Sequence, residues 1–526
     1  MRPVRLRCVA LALALGLGLP ALAAGTLTVC TDGSPEGFDI VQYESIVTAD
    51  ATAGIFEQLI AFKKGSSAIE PGLAERWEIS ADGLQVTLHL RRGVKFHSTA
   101  WFTPSREMNA DDVLWSVNRI NDAKHPAHGV ARAGYVYWAG MSMPSLIRSL
   151  DKIDAHTVRF TLTRPDAPFL ANLAMSAIGS VYSAEYAEQL QKAGKLDQIN
   201  TLPVGTGPFA LRSYQKDTAV RYVAHPGHWA GAPAIDAMVF AITPDPNVRA
   251  QRVKAGECLV AINMKRDSVA AFQGRSDMRV VLSQPLLTSF ISPNTQRPYL
   301  SDRRFRQALQ LGIDHGSYIS AVYAGLAKPA GSLLPPAMWS HDASLQPRFD
   351  PDQARKLVAA SGYDGRELTL LFRNGGSVDG RRAGELLQAD WARIGVKVKV
   401  RLVEFGELLR MTGKGEHDLA TTGWASDNGD PDNFFTPNLS CSAVDGGGNK
   451  SRWCHPPLDK LLDEARRSSD PKRRTELYVS AQRLVRDEAP SLLTVYPTTA
   501  AVLHQRVSGF VISPFATIDL RGVRLN

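Results

Sequence analysis

The chain has 526 residues, of which 44% are hydrophobic and 21% charged, and its formal net charge is +8. Its length predicts two or more lobes, and its composition excludes a disordered or fibrous protein. Because the basic residues are interleaved with acidic ones and form no dense block, no nucleic-acid site is predicted.

The N-terminus has the pattern of a secretory signal. Three arginines precede an apolar run, and Ala21-Leu22-Ala23 supplies the small residues that signal peptidase accepts. We therefore expect a signal peptide over residues 1–23 and an exported mature chain. No later segment approaches the roughly 20 apolar residues needed to cross a bilayer, so no stable membrane anchor is predicted.

Strands and helices alternate along the mature chain. The stretches "LQVTLHLRRGVKF" and "DAHTVRFTLTRP" alternate apolar and polar residues, as half-buried strands do. In "GRRAGELLQADWARIGVKVKVRL", apolar residues at helical spacing precede Gly395 at a C-cap position, and a strand pattern follows. Asp470 and Pro471 begin a further helix that carries Leu477 and Ala481 inward. This mixture predicts an α/β fold with helices covering mixed sheets.

Removal of the signal leaves four cysteines, Cys30, Cys258, Cys441 and Cys454. An even number in an exported chain predicts disulfides, and four cysteines allow three connectivities. Pairing Cys441 with Cys454 across the short loop "CSAVDGGGNKSRWC" is the simplest choice, and it leaves Cys30 with Cys258.

The stretch "GWASDNGDPDNF", residues 423–434, concentrates three aspartates behind a tryptophan. Neither register of its aspartates meets the spacing of an EF-hand calcium loop, and neither a metal site nor a cofactor is predicted. The chain also lacks the nucleophile-elbow, zinc-protease, P-loop and dinucleotide-binding motifs. In an exported two-lobed α/β chain, these absences favour a binding protein over an enzyme.

Six stretches together resemble the periplasmic dipeptide- and oligopeptide-binding proteins that serve ABC transporters. They run in the family's order over essentially the whole mature chain, and "DNGDPDNF" with its flanking cysteine pair most resembles the dipeptide-binding branch. The stretches are "CTDGSPEGFD", "LAERWEISADGLQVTLHLRRGVKFH", "NADDVLWSVNR", "PVGTGPF", "RFRQAL" and "GWASDNGDPDNF".

The resemblance implies a bilobed periplasmic-binding-protein fold in which a hinge lets two α/β lobes close on a ligand. Lobe I would cover residues 24–284, with an inserted subdomain at about 57–190, and lobe II would cover residues 285–496. Residues 497–526 would return to lobe I. The implied protein is a periplasmic monomer without catalysis that delivers dipeptides or tripeptides to an inner-membrane ABC permease.

By the same resemblance, Asp427 matches the family's anchor for the peptide amine. A buried ammonium group needs an opposite charge, which this carboxylate would supply through charge-assisted hydrogen bonds. Trp424, Ala425 and Ser426 would line the cleft beside it. The alternative is that Asp427 only caps the turn at Asn428, as aspartates commonly do.

Two further positions depart from the family pattern. The family's carboxylate-binding arginine aligns without a gap on Asn374, and a shift of one residue in the loop that includes Gly375 would restore Arg373. Glu44 aligns with an uncharged cleft position, where it would recognise a basic side chain or a second amine. The alternative is that Glu44 lies in water.

Two other functions stay open on the sequence. The scaffold would also suit another ligand, such as haem, a nickel chelate or an opine-like conjugate. The second alternative is a secreted hydrolase with paired aspartates, which would consume its ligand instead of closing on it.

Overall fold

A computed structural model describes residues 25–131, 134–374, 378–445 and 447–526. The predicted signal peptide therefore lies outside the described residues. In chain order, the strands are β1 Thr26–Thr31, β2 Ile60–Phe62, β3 Ile69–Pro71, β4 Ala74–Ile79, β5 Gln85–Leu90, β6 Ile147–Asp154, β7 Thr157–Leu162, β8 Phe209–Gln215, β9 Ala219–Ala224, β10 Ala237–Ile242, β11 Val260–Ala261, β12 Met278–Ser283, β13 Leu287–Pro293, β14 Ala327–Pro329, β15 Leu368–Arg373, β16 Val398–Val403, β17 Leu419–Ala425, β18 Leu492–Pro497, β19 Thr499–His504, β20 Val507–Ser508, β21 Val511–Ile512, β22 Ile518–Asp519 and β23 Arg524–Leu525.

The helices lie between these strands, and each described helix is too short or too polar to span a membrane. In chain order they are α1 Ile46–Thr52, α2 Ala110–Asn121, α3 Val136–Gly140, α4 Met143–Leu146, α5 Phe169–Asn172, α6 Ser176–Gly179, α7 Ala184–Lys192, α8 Pro246–Lys254, α9 Arg266–Val269, α10 Arg303–Leu311, α11 His315–Tyr323, α12 Pro351–Ala360, α13 Gly380–Arg393, α14 Phe405–Gly413, α15 Asp432–Leu439, α16 Pro456–Arg467 and α17 Pro471–Glu488.

Two large mixed sheets organise the chain. The first has seven strands in the order β12-β19-β11-β1-β10-β9-β8, and the second has six in the order β14-β18-β13-β17-β15-β16. The chain passes from the first sheet to the second between β12 and β13, and it returns between β18 and β19. We call the parts built on these sheets the first and second lobes.

A four-stranded antiparallel sheet in the order β4-β5-β7-β6 belongs to the first lobe. We call the region of this sheet and helices α2 to α7 the subdomain. One continuous core joins it to the seven-stranded sheet, since Leu88 and Phe160 belong to the same buried cluster as Val29 and Phe240. The subdomain and the first sheet are therefore packed together as one lobe.

In the second lobe, apolar side chains cover both faces of the sheet. Ile291, Leu370 and Trp391 lie in the cluster on one face, and Phe290 and Phe434 lie in the cluster on the other. Sheets covered by helices on both faces form an α/β fold.

Local sequence signals account for the helix boundaries. The side chain of Asp379 accepts hydrogen bonds from the first backbone N–H groups of α13, and Gly395 after its end has a φ of +84°. Asp470 caps α17 in the same way, with Pro471 at its first position. The predicted strands correspond to β5 and β7, as the alternation of their residues indicates.

The structure contains two disulfides, Cys30–Cys258 and Cys441–Cys454. The second closes the loop beside the 423–434 stretch, with a sequence separation of 13 residues. Replacing Cys441 and Cys454 together by Ser is expected to lower the free energy of unfolding by roughly 3 kcal/mol, because the open loop gains entropy in the unfolded chain. Urea unfolding of the oxidised protein and the variant measures this difference, and equal midpoints would contradict it.

Candidate functional site

The 423–434 stretch lies at the end of a central strand of the second lobe. Strand β17 pairs in parallel with β15, and the chain turns after Ala425 before α15 begins. In open α/β sheets, ligands bind beyond the carboxyl ends of parallel strands. The subdomain faces this turn, and Tyr137 of α3 reaches it. We call the space bordered by the turn and Tyr137 the cleft.

The turn is held by residues other than Asp427. Ser426 accepts a hydrogen bond from the N–H of Gly429 at 2.9 Å, and the Asn428 side chain accepts one from the N–H of Asp430 at 2.9 Å. Gly429 has a φ of +70°, which a glycine adopts readily. The interpretation that Asp427 caps this turn is therefore wrong. Ser426 is fully buried and supports the turn from inside, which differs from its predicted place along the cleft.

Asp427 is held between the subdomain and α15. The Tyr137 hydroxyl donates to Oδ1 at 3.0 Å, and the backbone N–H of Asp427 donates to the Asn433 side chain at 2.9 Å. The other carboxylate oxygen, Oδ2, is buried and has no hydrogen-bond partner among the described residues. Burial raises the pKa of Asp427 to about 7, although the hydrogen bond from Tyr137 acts in the opposite direction.

Asn433 aligns the aromatic wall of the cleft with this carboxylate. Its Oδ1 atom accepts hydrogen bonds from the Asp427 backbone and from the indole N–H of Trp424 at 3.0 Å. The rings of Trp424 and Tyr137 lie 6.4 Å apart at 61°. Ala425, between Trp424 and the turn, is partly buried at the end of β17. The site thus combines an aromatic wall with a carboxylate oxygen that has no partner.

The other two aspartates of the stretch stabilise the second lobe. Asp430 accepts two hydrogen bonds from Arg474, at 2.7 and 2.9 Å, in addition to the turn contact from the N–H of Asp432. Asp432 lies 3.6 Å from Arg466 and accepts a hydrogen bond from Thr436. Of the three aspartates, Asp427 alone has no arginine partner within the described part of the chain.

Arg373 is exposed at the end of β15, and its guanidinium lies over the ring of Phe405 at 4.5 Å. The pairing of β15 with β17 ends at Leu371 and Ala420, two residues before Arg373 and four before Trp424. Asn374 is also exposed, and its N–H donates to the carbonyl of Val403 at 2.7 Å. The third predicted residue of this segment, Gly375, lies outside the described residues.

Glu44 is exposed just before α1, yet desolvation of its carboxylate by the surrounding protein raises its pKa. Attraction to Lys450 of the disulfide loop acts in the opposite direction. Repulsion from Glu44 in turn contributes to the raised pKa values of Asp427 and Tyr137. Glu44 therefore acts electrostatically on the cleft. The Lys450 ammonium donates to the carbonyl of Gly447 at 3.1 Å.

The sequence interpretation missed Tyr137, Asn433 and Lys450. Asn433 belongs to the 423–434 stretch, so the sequence places it near Asp427. Its two hydrogen bonds, however, depend on how the chain turns back after Asp427. Tyr137 lies 290 residues before Asp427, and nothing in its neighbourhood distinguishes it from a core aromatic.

Comparison with known proteins covers nearly the whole chain. Residues 68–446 match the model of bacterial extracellular solute-binding proteins, family 5 Middle. Di/tripeptide-binding protein 4 of Pseudomonas aeruginosa (strain UCBPP-PA14) is 48% identical over 95% of this chain and 96% of its own. The dipeptide-binding protein of Escherichia coli (strain K12) is 40% identical over 96% and 95%.

A solved structure gives the same result for the fold. The dipeptide-binding protein of Pseudoalteromonas sp. SM9913, in complex with Met-Leu, has a TM-score of 0.90 and 33% identity. The alignment covers 95% of this chain and all of the other, which confirms the predicted bilobed periplasmic-binding-protein fold. With the family match over most of its length, the chain belongs to family 5 of the bacterial extracellular solute-binding proteins.

Proposed function

We propose that the protein captures dipeptides or tripeptides in the cleft and delivers them to an inner-membrane ABC permease. It would act in the periplasm as a monomer, after removal of residues 1–23, and without catalysis. The observation that carries the proposal is the buried Oδ2 of Asp427, which has no partner among the described residues. The names of the di/tripeptide-binding relatives support the choice of ligand.

A peptide ammonium group suits this oxygen for a physical reason. An ionised carboxylate in a water-excluded site is destabilised by several kcal/mol unless a counter-charge pairs with it. The ammonium supplies that charge and up to three donors, while the Tyr137 hydroxyl already satisfies Oδ1. Trp424 then offers an apolar surface beside the first residue of the peptide.

The two places where the chain crosses between the large sheets would serve as a hinge for ligand capture. We place the hinge at residues 284–286 and 498, where the chain passes between the two large sheets. A ligand that contacts both lobes favours the closed state in proportion to its extra affinity for that state. Tyr137 on the first lobe and Asp427 on the second would both contact such a ligand.

Calorimetry with a free dipeptide and its N-acetylated form tests the proposal. We expect tight binding of the free dipeptide, weak binding of the acetylated one, and recovery of the dipeptide unchanged. Mass spectrometry of the ligand that co-purifies from the native host identifies the preferred compound. A haem, nickel chelate or opine-like conjugate in that experiment would overturn the peptide assignment, and consumption of the dipeptide would indicate a hydrolase.

We propose that Arg373 binds the terminal carboxylate of the peptide. Replacing it with Ala is expected to weaken binding of a free dipeptide by about 2 kcal/mol, roughly thirtyfold, since the bound carboxylate loses its counter-charge. A C-terminally amidated dipeptide should lose less.

Arg381→Ala is the matched control, because that arginine lies nearby at the start of α13 and should leave both affinities unchanged. Equal, small losses for both peptides in the Arg373→Ala protein would show that another group, such as one near Asn374, binds the carboxylate.

A further inference from the structure

The first lobe, mainly through its subdomain, docks directly on the second lobe beside the cleft. The N–H of Ala167 donates to the carbonyl of Arg466 at 2.8 Å, and Asn428 donates to the side chain of Asn172 at 2.7 Å. Gly429 packs so closely on Ser67 that a Cβ atom there would lie 2.5 Å from the Ser67 Cβ. We call these contacts the docking surface, and they join the two lobes directly.

Asp166 lies within this surface. Its side chain is 3% exposed, and no described residue donates a hydrogen bond to its carboxylate. The nearest described cation that forms an ion pair with it is Arg164, with an N···O distance of 4.0 Å. An ionised carboxylate in such a position is disfavoured, because it has lost most of its water without gaining a hydrogen-bond donor.

The charges that face Asp166 from the second lobe do not compensate for this. Arg466 forms ion pairs with Asp432 and Asp463, both at 3.6 Å, and donates to Thr436 at 2.7 Å, while its Nε has no acceptor among the described residues. Asp430, which also faces Asp166, is paired with Arg474. On its own segment, Arg164 is shared with Asp463 of α16 at 4.0 Å. An ionised Asp166 therefore adds a fourth carboxylate to Asp430, Asp432 and Asp463, and no described arginine comes closer to it than the 4.0 Å of Arg164.

We propose that closure of the lobes takes up one proton at Asp166, so that acidification strengthens ligand capture. The inference rests on the proposed function, because ligand binding is what drives closure. Asp166 belongs to the first lobe, and Arg466, Asp432 and Asp430 belong to the second, so opening separates them and returns the carboxyl group to solvent.

The direction of the effect follows from the closed state. Burial and repulsion from Asp432 and Asp430 outweigh attraction to Arg466 and Arg164, and they raise the pKa of Asp166 to about 7. In the open state the group has its ordinary, lower pKa. Between these two values the closed state holds a proton that the open state lacks, so affinity increases as pH falls below about 7. Above that pH the advantage is lost.

The test compares the wild type with Asp166→Asn, which carries a permanently neutral side chain of the same shape. We expect the wild-type affinity, divided by that of the variant, to rise roughly thirtyfold from about pH 8 to about pH 5.5. At about pH 8 the variant should bind more tightly than the wild type. Because both proteins retain Asp427 and use the same dipeptide, the titration of those groups cancels in the ratio.

Calorimetry at about pH 6 in buffers of different ionisation enthalpy counts the protons directly. We expect the wild type to take up about one more proton on binding than Asp166→Asn does. Asn172→Ala serves as the control, since it removes a docking hydrogen bond but no titrating group. The affinity of the Asn172→Ala protein for the dipeptide should be lower than that of the wild type by a similar factor at every pH.

The outcomes separate this inference from the proposed function. If no peptide binds the wild type, the proposed function fails. If a dipeptide binds and the ratio to Asp166→Asn stays flat with pH, closure takes up no proton at Asp166. Loss of the pH dependence in Asn172→Ala as well would assign it to docking in general and would equally overturn the role of Asp166.

Discussion

Replacing Asp427 with Asn is expected to weaken binding of a free dipeptide by about 2 to 5 kcal/mol while leaving the unliganded protein at least as stable as before. The substitution keeps the shape of the side chain and removes the charge that faces the ligand. Titration calorimetry measures the affinity, and thermal unfolding measures the stability.

The structure explains why stability should not fall. The turn is held by Ser426 and Asn428, so it does not depend on the Asp427 carboxylate. The pKa of that carboxylate is raised by burial, which means that its ionised form destabilises the folded protein at neutral pH. A neutral amide removes this unfavourable contribution, and a small rise in melting temperature is therefore consistent with the prediction.

Asp430→Asn is the matched control within the same turn. This carboxylate is paired with Arg474 in the interior of the second lobe, so its loss should lower stability by several kcal/mol. The Asp430→Asn protein should still bind a free peptide more tightly than an acetylated one, because Asp430 does not contact Oδ2 of Asp427. The two aspartates thus separate a ligand-binding role from a structural one.

A double-mutant cycle isolates the contact with the ammonium. Free and N-acetylated dipeptides are measured on the wild type and on Asp427→Asn, and the coupling energy is taken from the four affinities. A coupling below about 0.5 kcal/mol, which is the additivity error for independent sites, would show that Asp427 does not hold the peptide amine.

Much of the fold could be predicted because its signals are local. The alternation that predicts β5 and β7, and the caps that begin α13 and α17, lie within a few residues of the elements they define. The resemblance to a known family then supplied the order of the elements in space, which no local pattern contains.

The candidate site was less predictable because it is assembled from distant segments. Asp427 was identified from its motif, but the hydroxyl that binds it comes from Tyr137 in the other lobe. The position of Ser426 beside Asp427 predicts that it faces the cleft, whereas the turn directs it inward to the N–H of Gly429. Side-chain direction in an irregular turn depends on backbone dihedral angles that composition does not determine.

The contacts of the docking surface could not be predicted from the sequence either. Asp166 has no motif around it, and apart from Arg164 the charges around it are Asp430, Asp432 and Arg466, which lie more than 260 residues later in the chain. A glutamate at position 44 could be recognised as unusual by comparison with the family, but its electrostatic influence on Asp427 required the three-dimensional arrangement.

Replacing Arg119 with Ala is expected to lower the free energy of unfolding by about 3 to 5 kcal/mol. Arg119 and Asp39 are fully buried and form a two-pronged ion pair, with one hydrogen bond at 3.0 Å. The pair joins α2 of the subdomain to the N-terminal segment of the first lobe. Truncating the arginine leaves the Asp39 charge buried without its main partner.

The surroundings of the pair limit how far the site can relax. The Arg119 guanidinium also lies over the ring of Tyr182 at 4.2 Å, and Gln42 donates to Asp39 at 2.7 Å. An alanine would therefore remove a cation–π contact and leave a space, in addition to breaking the ion pair. Urea unfolding measures the loss as a lower midpoint.

Arg76→Ala provides the matched control, since Arg76 pairs with Glu78 on the surface, where the side chains are 59% and 64% exposed. That change should lower stability by less than about 1 kcal/mol, as exposed ion pairs contribute little. A second comparison, Arg119→Met combined with Asp39→Asn, should recover part of the loss because no unpaired charge remains buried. If Arg119→Ala is no more destabilising than Arg76→Ala, the buried pair does not stabilise the junction between the subdomain and the rest of the first lobe.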